Sequence, residues 1–309
     1  VSLLASAPSL PSLLASHWQR AWSLDLAVAL SAGLYLSGVA RVRRRWPLRR
    51  TLFFLAGIAF VLLALQSGLG AYDARMLTAH MVQHILLTMV AAPLLVLGAP
   101  ATLASAALPA RRRRARVSLL ARAQPLCRPR ICLAVFAVVI LGAHLPAFFD
   151  AALRNPSLLA LEQISFLAAG LFLWLPLTSD HASAPHRLGG LGRILYMLVA
   201  MVPEDLLGAF LTRANNVVYA PYAAAAHALG ISAVINQQQA GAIMWVGSSC
   251  LMAAGGLYAA MIAMIAEEQR ATEAMVASIA TQRAGVQETA TGPAAAPTVA
   301  EVAANGGSA

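Results

Sequence analysis

Seven unbroken apolar runs, residues 22–39, 51–69, 76–99, 131–149, 157–177, 194–211 and 235–266, take up most of the chain. Most are close to the ~20 residues that a helix needs to cross the hydrocarbon core, and the last is long enough to tilt or overhang. Barrel strands would alternate apolar and polar residues, and these runs do not. The pattern therefore predicts an all-α fold: a polytopic transmembrane bundle of seven spans. Composition points the same way. The 309 residues are 60% hydrophobic and 11% charged, with a mean hydropathy of +0.71, whereas soluble domains carry roughly 25% charge.

Arginine supplies all 22 basic residues, and there is no lysine. A lysine Schiff base is therefore excluded, and with it a retinal-binding seven-helix protein. A net charge of +10 can signal nucleic acid, but these arginines bunch in short segments between apolar runs, where they act as topology anchors. The segment after the first run holds six, 111–130 holds eight, and Arg187, Arg193, Arg270 and Arg283 fall on the same side. Arg20, Arg75, Arg154 and Arg213 alone fall on the other. The positive-inside rule then places the N-terminus outside and the C-terminus in the cytoplasm. The expected organisation is an outer segment 1–21, a membrane domain 22–266 and a largely disordered cytoplasmic tail 267–309. The first sixteen residues are apolar but lack a basic start, a weak match to a cleaved signal peptide. Cys127, Cys132 and Cys250 form no C-x-x-C pair and read as small apolar residues.

With this orientation, polar groups gather near the outer ends of several helices. His80 and His84 lie on one face of the third helix, about 6 Å apart along its axis. Met76, Met81 and Gln83 are close to them in sequence, and Asp73 lies in the preceding loop. The fourth helix ends in GAHLPAFFD, bringing His144 and Asp150 to the same depth. The fifth carries Glu162 and Gln163, and the seventh opens with Asn236 and Gln237. Such groups are costly at membrane depth unless paired. They either hydrogen-bond between helices or converge on a metal or cofactor. Three histidines with a nearby thioether suit copper, and zinc nearly as well. Glu204 and Asp205, after Pro203, fall near mid-bilayer in the sixth helix. They are candidates for proton handling or for partnership with a nearby site, beside the plainer reading of acids hydrogen-bonded at a proline kink.

The order of motifs resembles the CtaG family of caa3-type cytochrome c oxidase assembly factors, which are distinct from the single-span copper chaperones. HMVQH leads into APLLVLGAP; His144 and Pro146 are followed by Asp150; FLAAGLFLWLPL, the Pro203–Gly208 segment, YAPY and NQQQAGAIMW follow in turn. The similarity runs from about residue 18 to 264. It implies a factor needed to build a haem–copper oxidase, with the family's histidines falling on His80, His84 and His144. Two positions depart from the family pattern: Gln163 stands where relatives often have histidine, and Asn236 where they usually have aspartate. Both changes weaken a ligand set, and Asn236 removes a negative charge.

The expected function is therefore oxidase assembly in the bacterial plasma membrane, with copper as the metal handled and no enzymatic turnover. His80, His84 and His144 would be ligands, Met76 or Met81 a soft accessory, and Glu162, Gln163, Asn236 and Gln237 would orient the rings or gate access. Expected partners are haem–copper oxidase subunits, a copper chaperone and membrane lipids, with no nucleic acid. The alternatives are a metal-free assembly scaffold, a haem-binding protein using His84 and His144, and a transporter relaying ions through Glu204 and Asp205.

Overall fold

The computed structural model describes residues 10–15, 18–42, 46–109, 124–178 and 188–290, and among them there is no strand. The helices are α1 (Leu10–Ala15), α2 (Trp22–Val42), α3 (Leu48–Gln66), α4 (Gly68–Tyr72) and α5 (Leu77–Ile85). A π-helical segment, Leu86–Ala91, joins α5 to α6 (Ala92–Leu97), and α7 (Pro100–Ala107) follows. Next come α8 (Pro129–Ala143), α9 (Pro146–Arg154), α10 (Pro156–Thr178), α11 (Gly190–Arg213) and α12 (Ala220–Ala228). The last is α13 (Ala233–Ala242), which runs through a second π-helical segment, Ile243–Gly247, into α14 (Ser248–Ala290). Among the described residues, six stretches are long and apolar enough to cross a membrane, or seven if the bent pair α8 and α9 counts as one span. The protein is a polytopic helical bundle.

The fourth apolar run is not straight. Pro146 disfavours helical backbone at the preceding residue, and Leu145 is extended at φ −63° and ψ 127°. Helix α8 therefore stops with His144 at its C-cap, and α9 restarts with Pro146 in its first turn at an angle of 69° to α8. The apolar run expected over 131–149 is therefore bent at this point. The break places His144 at a bend, where its ring can turn inward.

Close helix approaches depend on glycines. A Cβ on Gly208 of α11 would fall 2.8 Å from the Trp245 backbone nitrogen, and one on Gly241 of α13 would fall 2.6 Å from that of Thr212. A Cβ on Gly170 of α10 would fall 2.8 Å from Thr88 Cα in the first π-helical segment. Ala99 is the one non-glycine residue with positive φ among the described residues (49°). Its left-handed turn, followed by Pro100, lets α7 pack Leu103 against Gly38 of α2. The main apolar core combines Leu77, Met81, Phe136, Phe149, Phe166 and Trp174. On α2, Trp22, Leu26, Leu30 and Leu34 are exposed at four-residue spacing, forming an apolar stripe suited to lipid.

The chain divides into two units, residues 1–261 and 262–309. The described part of the second, 262–290, is helical. Over 267–290 alanine, glutamate, glutamine and arginine favour helix; residues 291–309, in the tail expected to be largely disordered, lie outside the described residues, as do His17, His181 and His186.

Candidate metal centre

His80 and His84 are both completely buried, and His144 is 3% exposed. The i, i+4 spacing on α5 puts the first two on one face, and the break after α8 brings His144 against them. The His144 ring centroid lies 5.8 Å from that of His84 and 6.3 Å from that of His80. Aromatic rings wall the cluster. Phe166 of α10 lies 4.5 Å from His84, and Phe149 of α9 lies 4.9 Å from His80, both edge-on. His144 Nδ1 is 2.8 Å from the Ile140 carbonyl oxygen. Donation there leaves Nε2 with its lone pair free, the arrangement common to histidines that ligate metals.

The remaining ring nitrogens have no hydrogen-bond partner: both on His80, both on His84, and Nε2 on His144. Buried polar atoms are nearly always satisfied, so five orphaned nitrogens in one buried cluster point to a ligand. Glu204, completely buried on α11, adds two more orphaned oxygens, and its Oε1 is 3.7 Å from His84 Nε2. Ser248 lies beside this carboxyl group but donates its hydroxyl to the Met244 carbonyl. Neutral imidazoles and a carboxylate fit copper or zinc. Among the described residues, no group of three or more His, Cys, Asp or Glu side chains is placed so that it could hold a metal ion. Rings sharing an ion would have centroids about 5 Å apart, so the three are gathered but spread.

The other expected site residues separate. Met76 packs with Leu13, Leu69 and Ala79 in a different apolar cluster, whereas Met81 is buried in the main core with Phe149 and Phe166. Asn236 caps α5: its Oδ1 accepts from Leu77 N at 2.9 Å, and its Nδ2 donates to Thr78 Oγ1. Gln237 holds the loop before α12, accepting from Val218 N and donating to Asn216 O. Both therefore fasten backbone instead of orienting the rings. Asp205, half-buried, accepts from Ser249 Oγ at 2.6 Å and is directed away from its neighbour's role beside His84. Asp73 accepts from Ala74 N and from Gln163 Nε2 at 2.8 Å. Both Glu162 oxygens and Asp150 Oδ1 are buried without partners. Phe149, Phe166, Tyr219 and Tyr222 were not foreseen. Tyr219 donates to the His144 carbonyl at 3.0 Å and lies 4.3 Å from Phe149 with the rings tilted, and Tyr222 donates to the Asp73 carbonyl. The tyrosines of YAPY were the visible signal; the phenylalanines look like ordinary apolar residues in sequence.

Residues 33–266 match the family described as cytochrome c oxidase caa3 assembly factor (Caa3_CtaG). The chain belongs to this family. Its members are described as assembly factors. Uncharacterised proteins of Mycobacterium bovis and Mycobacterium tuberculosis are each 31% identical over 232 residues, covering 71% of this chain and 35% of theirs. One of Mycobacterium leprae is 40% identical over 92 residues, 28% of this chain and 14% of its own. The chain thus spans about a third of the length of the curated relatives it matches. No solved structure matches it. Its apolar spans and bacterial relatives make this CtaG member a multi-pass protein of the bacterial inner membrane.

The two departures from the CtaG pattern acquire structural roles. Asn236 can both accept from the α5 backbone and donate to Thr78, and Gln163 can donate to Asp73. Burial pushes the Asp73 carboxyl up to about 6, against the opposing effect of its hydrogen bonds from Ala74, Gln83 and Gln163. The folded state therefore holds this proton more tightly than the unfolded chain, whose aspartate titrates near 3.9. The resulting stabilisation is complete below about pH 4 and is lost as pH rises through about 6. Thermal unfolding in detergent from pH 4 to 7 should show that loss in the natural protein and a flatter profile in Asp73→Asn.

Proposed function

We propose that the protein serves haem–copper oxidase assembly by holding copper, as cargo, at His80, His84 and His144 before passing it to an oxidase subunit. The observation that carries this reading is the set of five unpartnered ring nitrogens gathered from α5 and α8. Burying them unsatisfied is costly, and copper would supply what they lack. The arginine distribution supports an N-terminus outside, which places the cluster towards the outer face, within reach of a copper chaperone. The spread of the rings favours a second reading, a metal-free scaffold that binds oxidase subunits directly.

The test is elemental analysis of detergent-purified protein after Cu(I) loading, with an optical spectrum on the same sample. One copper per chain is expected, lost in the His80→Asn, His84→Asn double variant, with no Soret band. No copper in either protein would leave the scaffold, and a Soret band would assign the cluster to haem.

A further inference from the structure

Among the described residues, the Glu204 carboxyl group is the one acidic group within 4.0 Å of a nitrogen of the histidine cluster, and it reaches there from a helix that carries none of the histidines. It is completely buried, and the hydroxyl beside it, that of Ser248, is given to the Met244 carbonyl, which leaves both oxygens without a donor. The acid next to it in sequence is already engaged by Ser249. Arg193 of the same helix is committed to the Leu188 and Ala259 carbonyls, and Arg213 lies exposed over the Trp245 ring. A carboxylate at this depth calls for a cation. Two donors on one tetrahedral ion, each about 2.0–2.1 Å from it, stand about 3.4 Å apart. Glu204 Oε1 and His84 Nε2 are 3.7 Å apart, too far for a hydrogen bond and close to the spacing of neighbouring ligands. Of the two candidate thioethers, Met76 packs in a separate cluster, and Met81 lies in the main core with Phe149 and Phe166.

We propose that Glu204 is the fourth donor of the cluster, giving a three-histidine, one-carboxylate set that spans α5, α8 and α11. The inference rests on the metal reading of the histidines. It gives the centre a counter-charge for the ion: three neutral imidazoles carry no charge, and the Glu204 carboxyl group contributes −1 on releasing its proton as the ion binds. Attraction between that charge and the ion scales with the ion's own charge, so Glu204 stabilises divalent copper more than monovalent copper. It also links the site to α11, a helix whose close packing on α13 requires Gly208 and Gly241.

The test compares the full chain with Glu204→Gln and Glu204→Asp in detergent, titrating Cu(I) and Cu(II) separately against competing chelators. In Glu204→Gln, affinity for Cu(II) should fall at least tenfold more than affinity for Cu(I). Each tenfold difference raises the potential of the bound copper by about 59 mV. Glu204→Asp, which keeps the charge on a shorter arm, should lie between. Natural protein that binds copper alongside an unchanged glutamine variant overturns the inference and leaves the histidine site standing. An equal loss for both oxidation states, the mark of structural damage, also overturns it. Absence of copper binding in the natural protein overturns the metal reading and this inference together. If Glu204→Gln does not fold, electron paramagnetic resonance of the Cu(II)-loaded natural protein decides. Three nitrogens and one oxygen in the equatorial plane support the assignment; four nitrogens overturn it.

Discussion

Replacing Gly170 with leucine is expected to abolish folded protein. A Cβ at this position alone would stand 2.8 Å from Thr88 Cα and 2.9 Å from the Thr88 oxygen and the Ala92 Cβ. Two of those atoms belong to backbone, so no rotamer change relieves the clash. Overpacking a core usually costs about 1–3 kcal/mol, and here α10 must separate from the π-helical segment as well. One turn before Gly170 is Phe166, which walls the histidines; one turn after it is Trp174, whose Nε1 donates to the Thr88 carbonyl at 3.0 Å. Separating the helices disturbs both. Size-exclusion chromatography of detergent extracts should show the Gly170→Leu variant aggregated or missing. Gly170→Ala should remain folded with a lower Tm and weaker copper binding. A Gly170→Ala protein with unchanged Tm would contradict the close approach of α10.

Replacing His80 with leucine should have the opposite effect on stability while removing function. Neither ring nitrogen of His80 has a partner, and its surroundings are Phe149, Phe166 and apolar residues of the main core. An unsatisfied buried polar group costs about 1–3 kcal/mol. Leucine is of similar size and lacks that cost, so the metal-free variant should unfold at a higher temperature than the metal-free natural protein. Copper affinity should meanwhile fall by more than the roughly 10–100-fold typical of losing an outer partner of a metal ligand. Cells carrying the variant should fail to assemble active oxidase despite normal levels of the protein. The two measurements separate the readings. A polar group kept for stability would make the leucine variant less stable, whereas one kept for a ligand makes it more stable and inactive. A lower Tm with intact oxidase assembly would favour the scaffold and reject the copper site.

The amino-acid sequence determined whatever depends on local spacing. Apolar runs near membrane thickness fixed the helices and the bundle, because lipid leaves the backbone few alternatives. Spacing of four residues placed His80 and His84 on one face of α5. The motif order pointed to the CtaG family. Pro146 was visible too, although its consequence, a 69° break that turns His144 inward, needed the neighbouring helices to give the bend a direction. Periodicity sets which face of a helix is polar, but not which neighbour that face meets. The rotation of each helix was settled by contacts such as Gly170 on Thr88 and Gly208 on Trp245. Only those contacts brought Glu204 to His84 across 120 positions of sequence, sent Met76 to another cluster, and engaged Asn236 and Gln237 with backbone N–H groups. In this protein the donors were legible in sequence, while the company they keep was decided by packing.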